Sequence, residues 1–146
     1  MKKKQLQALN YQMPDQLIPM CSEVITIEDI AKKEIGLTYN GIEYSYVWDK
    51  YTKRAGESLL DNLANFVVKT CDKAKVATLS ELDKAGIKSA LPKVGMSKDG
   101  ILFAMGRPPI HATTSLGSAT WMYWLNRWKK LAIEFDKNRI ATEIRL

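Results

Sequence analysis

The chain has 146 residues, of which 46% are apolar and 26% charged, a composition that suits one folded domain with its own core and excludes wholesale disorder. No run of about eighteen apolar residues occurs in it, so we expect no membrane-spanning segment. The formal net charge of +6 favours contact with nucleic acid, anionic lipid or an acidic partner, although Lys2, Lys3 and Lys4 supply three of the positive charges.

Residues 1–16 are polar and unpatterned, and we expect a flexible tail there. The basic start is not followed by an apolar segment, because the next residues are polar and Pro14 interrupts them, so we recognise no export signal. A β-rich part with one helix is predicted over 17–78. It begins with a run of β-branched residues, which favours a strand: Val24, Ile25, Ile27 and Ile30.

A β-hairpin over 35–47 is the clearest local prediction. Apolar or aromatic residues alternate with polar or small ones on both sides of Asn40-Gly41, and Asn-Gly is the pair favoured in two-residue type I′ turns. A helix is predicted over 59–71, where Ser58 can act as the N-cap and the apolar residues share one face. We expect this helix to lie on the sheet.

A second α+β part is predicted over 79–146. A short helix is expected around 80–85, followed by an extended piece up to Pro92. Ser97 can cap another helix, which Gly106 and the two prolines after Arg107 should end. Three alternating stretches then predict three strands of an antiparallel sheet: Trp121–Leu125, Leu131–Phe135 and Ile140–Ile144. The fold class is therefore predicted to be α+β, with both parts packed as one compact unit.

This second part resembles the SmpA/OmlA family of small outer-membrane lipoproteins, to which the BamE component of the β-barrel assembly machinery belongs. The matching residues lie within about residues 85–146: Gly95, Met96, Ser97, Ile101, Ala104, Met105, Gly106, Pro108, Trp121 and Tyr123. In that family G-M-[ST] starts a helix, A-x-G-x-P ends it and W-x-Y opens the sheet.

The resemblance implies a BamE-like unit of two helices and three strands, located in the periplasm or at the periplasmic face of the outer membrane. It implies structural roles for the motif residues Gly95, Met96, Ser97, Gly106, Pro108, Trp121 and Tyr123. The family's lipid-bearing cysteine has no counterpart near the start of this sequence, since Cys21 follows Leu-Ile-Pro-Met in a segment that we expect to be ordered.

Aromatic and cationic residues are interleaved in the first of these strands and in the turn that leads to the second. Strand alternation places Trp121 and Tyr123 towards the core and Trp124 on the opposite face, while Trp128 falls in or beside a turn. Exposed aromatic rings beside cations can anchor a protein partner, or they can stack on single-stranded nucleic acid. We predict four partner-binding residues: His111, Trp124, Arg127 and Trp128.

The sequence offers little chemistry for catalysis. His111 is the only histidine, which excludes metal sites that need two or three imidazoles, and we expect no metal. A nucleophilic pair of His111 with Cys21 or Cys71 is formally possible, but neither cysteine lies in a recognisable nucleophile context. No nucleotide-binding glycine pattern, serine elbow or close carboxylate pair occurs, so we expect neither an enzyme nor a cofactor.

The two cysteines suit separate buried thiols as well as one disulfide, with thiols slightly favoured. Together these features predict a non-enzymatic binding or assembly module of the bacterial cell envelope, docking on a protein partner through its sheet face and the 107–120 loop. The alternatives are a basic nucleic-acid-binding module and, less favoured, a Cys-dependent hydrolase.

Overall fold

The computed structural model describes residues 4–10, 12, 25–31, 33–49, 57–66 and 71–146. The fold is α+β. The elements in chain order are β1 (Lys4–Gln7), β2 (Ile25–Ile30), β3 (Glu34–Tyr39), β4 (Ile42–Val47), α1 (Leu59–Leu63), α2 (Lys73–Ala77), α3 (Glu81–Ser89), α4 (Lys98–Met105), β5 (Thr120–Trp124), β6 (Lys130–Phe135) and β7 (Ala141–Arg145). Among the described helices, the longest has nine residues, which is too short to cross a bilayer.

The predicted hairpin is confirmed as β3 and β4. Tyr39 pairs with Ile42 across a two-residue turn, in which Asn40 and Gly41 have φ angles of 52° and 75°. Both angles are positive, as a type I′ turn requires. The sheet has the order β1-β4-β3-β2, and its inward-facing side chains are those expected from the alternation: Ile35, Leu37, Tyr44 and Tyr46.

The predicted tail is wrong for residues 4–10. Lys4–Gln7 form β1, which pairs in parallel with β4, and the next two residues, Ala8 and Leu9, are buried. The Lys-Gln-Leu-Gln stretch has a composition that does not indicate a strand. Its strand conformation depends on pairing with β4, which lies forty residues further along the chain. Residues 1–3, 11 and 13–16 of the predicted tail lie outside the described residues.

The single helix predicted over 59–71 is also wrong. Ser58 does cap a helix, since its side chain accepts a hydrogen bond from the Asp61 N–H, but α1 ends at Leu63. A separate helix, α2, begins after Asp72, whose carboxylate caps it. The described residues between 57 and 78 therefore contain two short helices, and α1 packs on the first sheet as expected.

We call the first sheet with α1 the first unit, and residues 79–146 the second unit. The second unit contains α3, α4 and an antiparallel sheet of order β5-β6-β7. Its α3 runs to Ser89, so the extended piece expected before Pro92 is shorter than predicted. Ser97 caps α4 as predicted, and Gly106, with φ of 77°, ends it. The core of this unit consists of Met96, Ile101, Met105, Trp121, Tyr123, Leu131, Ile133, Phe135 and Ala141.

The regular alternation predicted for the last strand is interrupted by a bulge. Ile133 pairs with Ile144, but Phe135 pairs with Ala141, so β7 contains one residue more than β6 at this point. The extra residue is Thr142, whose hydroxyl donates to the Glu134 carbonyl. The bulge turns Ala141 towards the core in place of Ile140.

The two units meet where α4 ends. The ring of Phe66 in the first unit lies against Gly106, where a Cβ would come within 2.9 Å of it. Arg107 donates from Nη1 to the side-chain oxygen of Asn65 at 3.1 Å. Both contacts place the start of the 107–120 loop beside the first unit.

Candidate functional site

Asn10 and Gln12, which follow β1, form hydrogen bonds with the end of α4 and the end of β5. The Asn10 amide donates to the carbonyls of Met105 and Arg107 at 2.9 and 3.0 Å. The Gln12 amide also donates to Met105, at 3.2 Å, and its backbone N–H donates to the Trp124 carbonyl at 3.0 Å. Two polar side chains from the predicted tail therefore satisfy carbonyls at the end of α4, and the Gln12 backbone holds Trp124.

The 107–120 loop is fixed by a buried lysine. Lys98, 4% exposed, donates from Nζ to the carbonyls of Leu116 and Ser118 at 2.8 and 2.9 Å. The ammonium lies 5.3 Å from the centre of the Trp121 ring. Burial, and secondarily the nearby Arg139, lowers the pKa of Lys98. The buried Lys98 side chain therefore fixes the position of the loop by hydrogen bonds to its backbone.

A threonine in the same loop contacts the edge of β5. Thr113 is buried, and its hydroxyl accepts a hydrogen bond from the backbone N–H of Met122 at 3.0 Å. Two residues earlier in the chain, His111 lies at the surface. The anchored loop therefore presents His111 beside the last residue of β5.

His111 contacts Trp124. Their ring centres are 5.0 Å apart with a tilt of 35°, and Lys130 Nζ lies 5.7 Å from the Trp124 ring centre. Trp124 and Lys130 are register partners at the ends of β5 and β6. Partial burial is the main cause that lowers the pKa of His111 below its usual 6.5; Lys130 lowers it further and Asp49 opposes both. The lowered pKa favours the neutral imidazole.

The turn after Trp124 presents a second aromatic ring. The Asn126 side chain accepts hydrogen bonds from the backbone N–H groups of Trp128 and Lys129 at 2.8 and 2.9 Å, which fixes the turn. Trp128 is 80% exposed, and the Arg127 guanidinium carbon lies 4.5 Å from its ring centre. We call the four predicted partner-binding residues, His111, Trp124, Arg127 and Trp128, the aromatic surface.

The structure brings these residues together as two contacting pairs, His111 with Trp124 and Arg127 with Trp128. Sequence reasoning missed Lys98, Asn10 and Gln12, which position the surface without belonging to it. Each is a polar residue in a segment that looks solvent-exposed, so the sequence contained no signal for its hydrogen bonds to distant carbonyls.

The motif residues lie in the core or at the ends of helices. Met96, Trp121 and Tyr123 are fully buried, and so is Pro108, two residues after Gly106 ends α4. Gly95 has φ of 97°, a conformation that favours glycine. The Tyr123 hydroxyl donates to the Gly106 carbonyl at 2.8 Å, which joins the end of α4 to β5.

The Cys-dependent alternative requires a cysteine thiolate that can act with His111. Cys71 is disulfide-bonded, so the slight preference for thiols is wrong for this residue and Cys71 has no thiolate to act with His111. The sequence contains one other cysteine, Cys21, which lies outside the described residues. In the part of the chain that the structure describes, no three His, Cys, Asp or Glu side chains cluster as metal ligands would.

Comparison of the chain with protein-family models, with curated proteins and with solved structures gave no match. No functional property is therefore transferred to this chain from a related protein. Among the described residues, the aromatic surface combines exposed apolar area, positive charge and fixed geometry, which are the properties of a binding surface.

Proposed function

We propose that the chain is a non-enzymatic binding or assembly module of the bacterial cell envelope, which docks on a protein partner through the aromatic surface. The observation that carries this proposal is the 80% exposure of Trp128 on a turn that is fixed by Asn126. Tryptophan and arginine are the side chains most enriched in the energetic centres of protein interfaces. Because the turn is already ordered, binding would cost little conformational entropy.

The architecture of residues 79–146 supports the finer proposal that this part is a BamE-like unit. It contains two helices and an antiparallel three-stranded sheet, as the resemblance implies. Ser97 caps the second helix, Gly106 ends it, and Trp121 and Tyr123 lie on the first strand of the sheet. These are the positions that the family pattern assigns to them.

The disulfide at Cys71 supports the proposed location. Disulfides persist in oxidising compartments, such as the bacterial periplasm, and are rare in the cytosol. We therefore propose that the chain works in the periplasm or at the periplasmic face of the outer membrane.

The test is capture of a partner by three versions of the chain: wild type, Trp128→Ala and Leu91→Ala. Leu91 is 57% exposed between α3 and α4, so its truncation controls for the loss of exposed apolar area elsewhere. Each version is immobilised and exposed to envelope and soluble extracts, with and without nuclease. Trp128→Ala is preferable to Trp124→Ala because Trp124 is half-buried and its removal would also affect stability.

We expect wild type and Leu91→Ala to retain the same envelope protein and Trp128→Ala to lose it, with equal melting temperatures for all three. Equal capture by Trp128→Ala would remove the aromatic surface as the docking site. Capture of nucleic acid that disappears on nuclease treatment would instead favour a basic nucleic-acid-binding module.

A further inference from the structure

The turn between β5 and β6 carries three cations without an acidic partner. Arg127, Lys129 and Lys130 form no ion pair with any carboxylate in the described parts of the chain, and residues 119–133 contain no Asp or Glu. Some cations elsewhere in the described residues do form ion pairs, for example Lys75–Asp99, Lys84–Glu81 and Arg145–Glu134. We call the segment Arg127–Lys130 the cationic turn. Its uncompensated charge favours association with a negative group.

The geometry of the cationic turn suits carboxylates. Arg127 lies against the Trp128 ring at 4.5 Å, and a guanidinium stacked on an aromatic face keeps its in-plane N–H groups for a carboxylate. The Leu125 N–H donates to the Lys129 carbonyl at 2.9 Å, so the backbone that carries these side chains is closed by a hydrogen bond. Apolar area and positive charge are therefore presented side by side.

The cationic turn is short. It spans four residues, and its cations lie on both sides of the exposed Trp128 in the sequence. An acidic segment of a few residues with one apolar side chain matches this arrangement of charge and apolar area. Binding of a nucleic-acid single strand is the contrary outcome of the test.

We infer that the partner binds the cationic turn through a short acidic segment that also carries an apolar side chain. Arg127 and Lys129 contact its carboxylates, and Trp128 contacts its apolar side chain. This inference rests on the proposed function, because it names the chemistry of the partner that the aromatic surface binds.

Selection of short random peptides on the immobilised full chain tests the inference. The variant is Arg127→Glu/Lys129→Glu. The control is Lys88→Glu/Lys137→Glu, which changes the net charge equally at exposed positions at the end of α3 and in the turn at the opposite end of β6. Wild type and control should select peptides rich in Asp and Glu beside an apolar residue. The variant should bind the best of these peptides about tenfold more weakly or worse, because each removed attraction is replaced by repulsion.

The results that would contradict the inference differ from those that would contradict the proposed function. Selected peptides that require Trp128 but contain no excess of acidic residues would overturn the inference and leave docking on a protein intact. Failure of wild type to select any peptide would also overturn the inference, while capture of an envelope protein would still decide the proposed function. Tight binding of an oligothymidine single strand, lost in Trp128→Ala, would contradict both.

Discussion

Asp83 accepts two hydrogen bonds from Ser97, one from the backbone N–H at 2.8 Å and one from the hydroxyl at 2.7 Å. Asp83 lies in α3 and is 2% exposed, and Ser97 is the N-cap of α4. The Ser97 hydroxyl also accepts a hydrogen bond from the Gly100 N–H at 3.0 Å. Gly100 leaves room for the carboxylate, because a Cβ there would overlap with it. The pair therefore fixes the start of α4 against α3.

Breaking this pair should destabilise the fold. We expect Asp83→Ala to lower the free energy of unfolding by about 2–3 kcal/mol, since it leaves the partly buried N–H and hydroxyl of Ser97 without this acceptor. Ser97→Ala should cost about 1–2 kcal/mol, the usual effect of losing an N-cap. Urea unfolding of both variants and of the double variant measures the coupling. Effects that add to within about 0.3 kcal/mol would show that the two residues act independently.

Asn10 should contribute to the stability of the fold, although it lies near the start of the chain. Its φ is 58°, and its amide donates to the carbonyls of Met105 and Arg107. Asn10→Gly keeps the backbone conformation and removes the amide, so we expect a loss of about 1–2 kcal/mol. Asn10→Ala should lose about 1 kcal/mol more, because a Cβ disfavours the left-handed region. Unchanged thermal unfolding of Asn10→Gly would mean that the amide does not stabilise the end of α4.

The parts of the fold that the sequence predicted correctly are those with local signals. Asn40-Gly41 requires a specific turn, and Ser97 with Gly106 marks the two ends of α4, so these elements did not depend on distant partners. β1 was missed because its strand conformation depends on parallel pairing with β4. The Thr142 bulge was missed because alternation alone cannot show where a strand gains a residue.

The same distinction applies to the candidate site. Strand alternation correctly separated Trp124 from the buried Trp121, and the position of Trp128 after Asn126 indicated a turn. Lys98 was missed since a lysine in the first turn of a helix normally faces solvent. Its burial depends on the carbonyls of Leu116 and Ser118, which only tertiary structure brings to it.

Two buried tyrosines should make the protein sensitive to alkali. Tyr123 donates its hydroxyl proton to the Gly106 carbonyl and Tyr46 donates to the Asn62 side chain. Burial raises the pKa of each hydroxyl above the ordinary 10.0, so the unfolded chain loses these protons first. Their contribution to stability is therefore complete below about pH 10 and is lost as the pH rises towards the folded-state pKa values.

Tyr123→Phe isolates this effect. We expect the variant to lose about 1 kcal/mol at pH 7, because the Gly106 carbonyl loses its donor, and to show a shallower decline in stability above pH 10 than wild type. Lys98, whose pKa is lowered, contributes in the opposite direction in both proteins, so it cancels in the comparison. Denaturant unfolding at several alkaline pH values measures the two curves, and parallel curves would contradict the assignment.

His111 should report directly on the aromatic surface, since it is the only histidine in the chain and its NMR titration needs no assignment. We expect a pKa below 6.5 in wild type, because Trp124 partly shields the imidazole from water and Lys130 disfavours its positive charge. Trp124→Ala and Lys130→Met should each raise the pKa of His111, while Asp49→Asn should lower it. A pKa that does not respond to Trp124→Ala would show that the two rings are not in contact in solution.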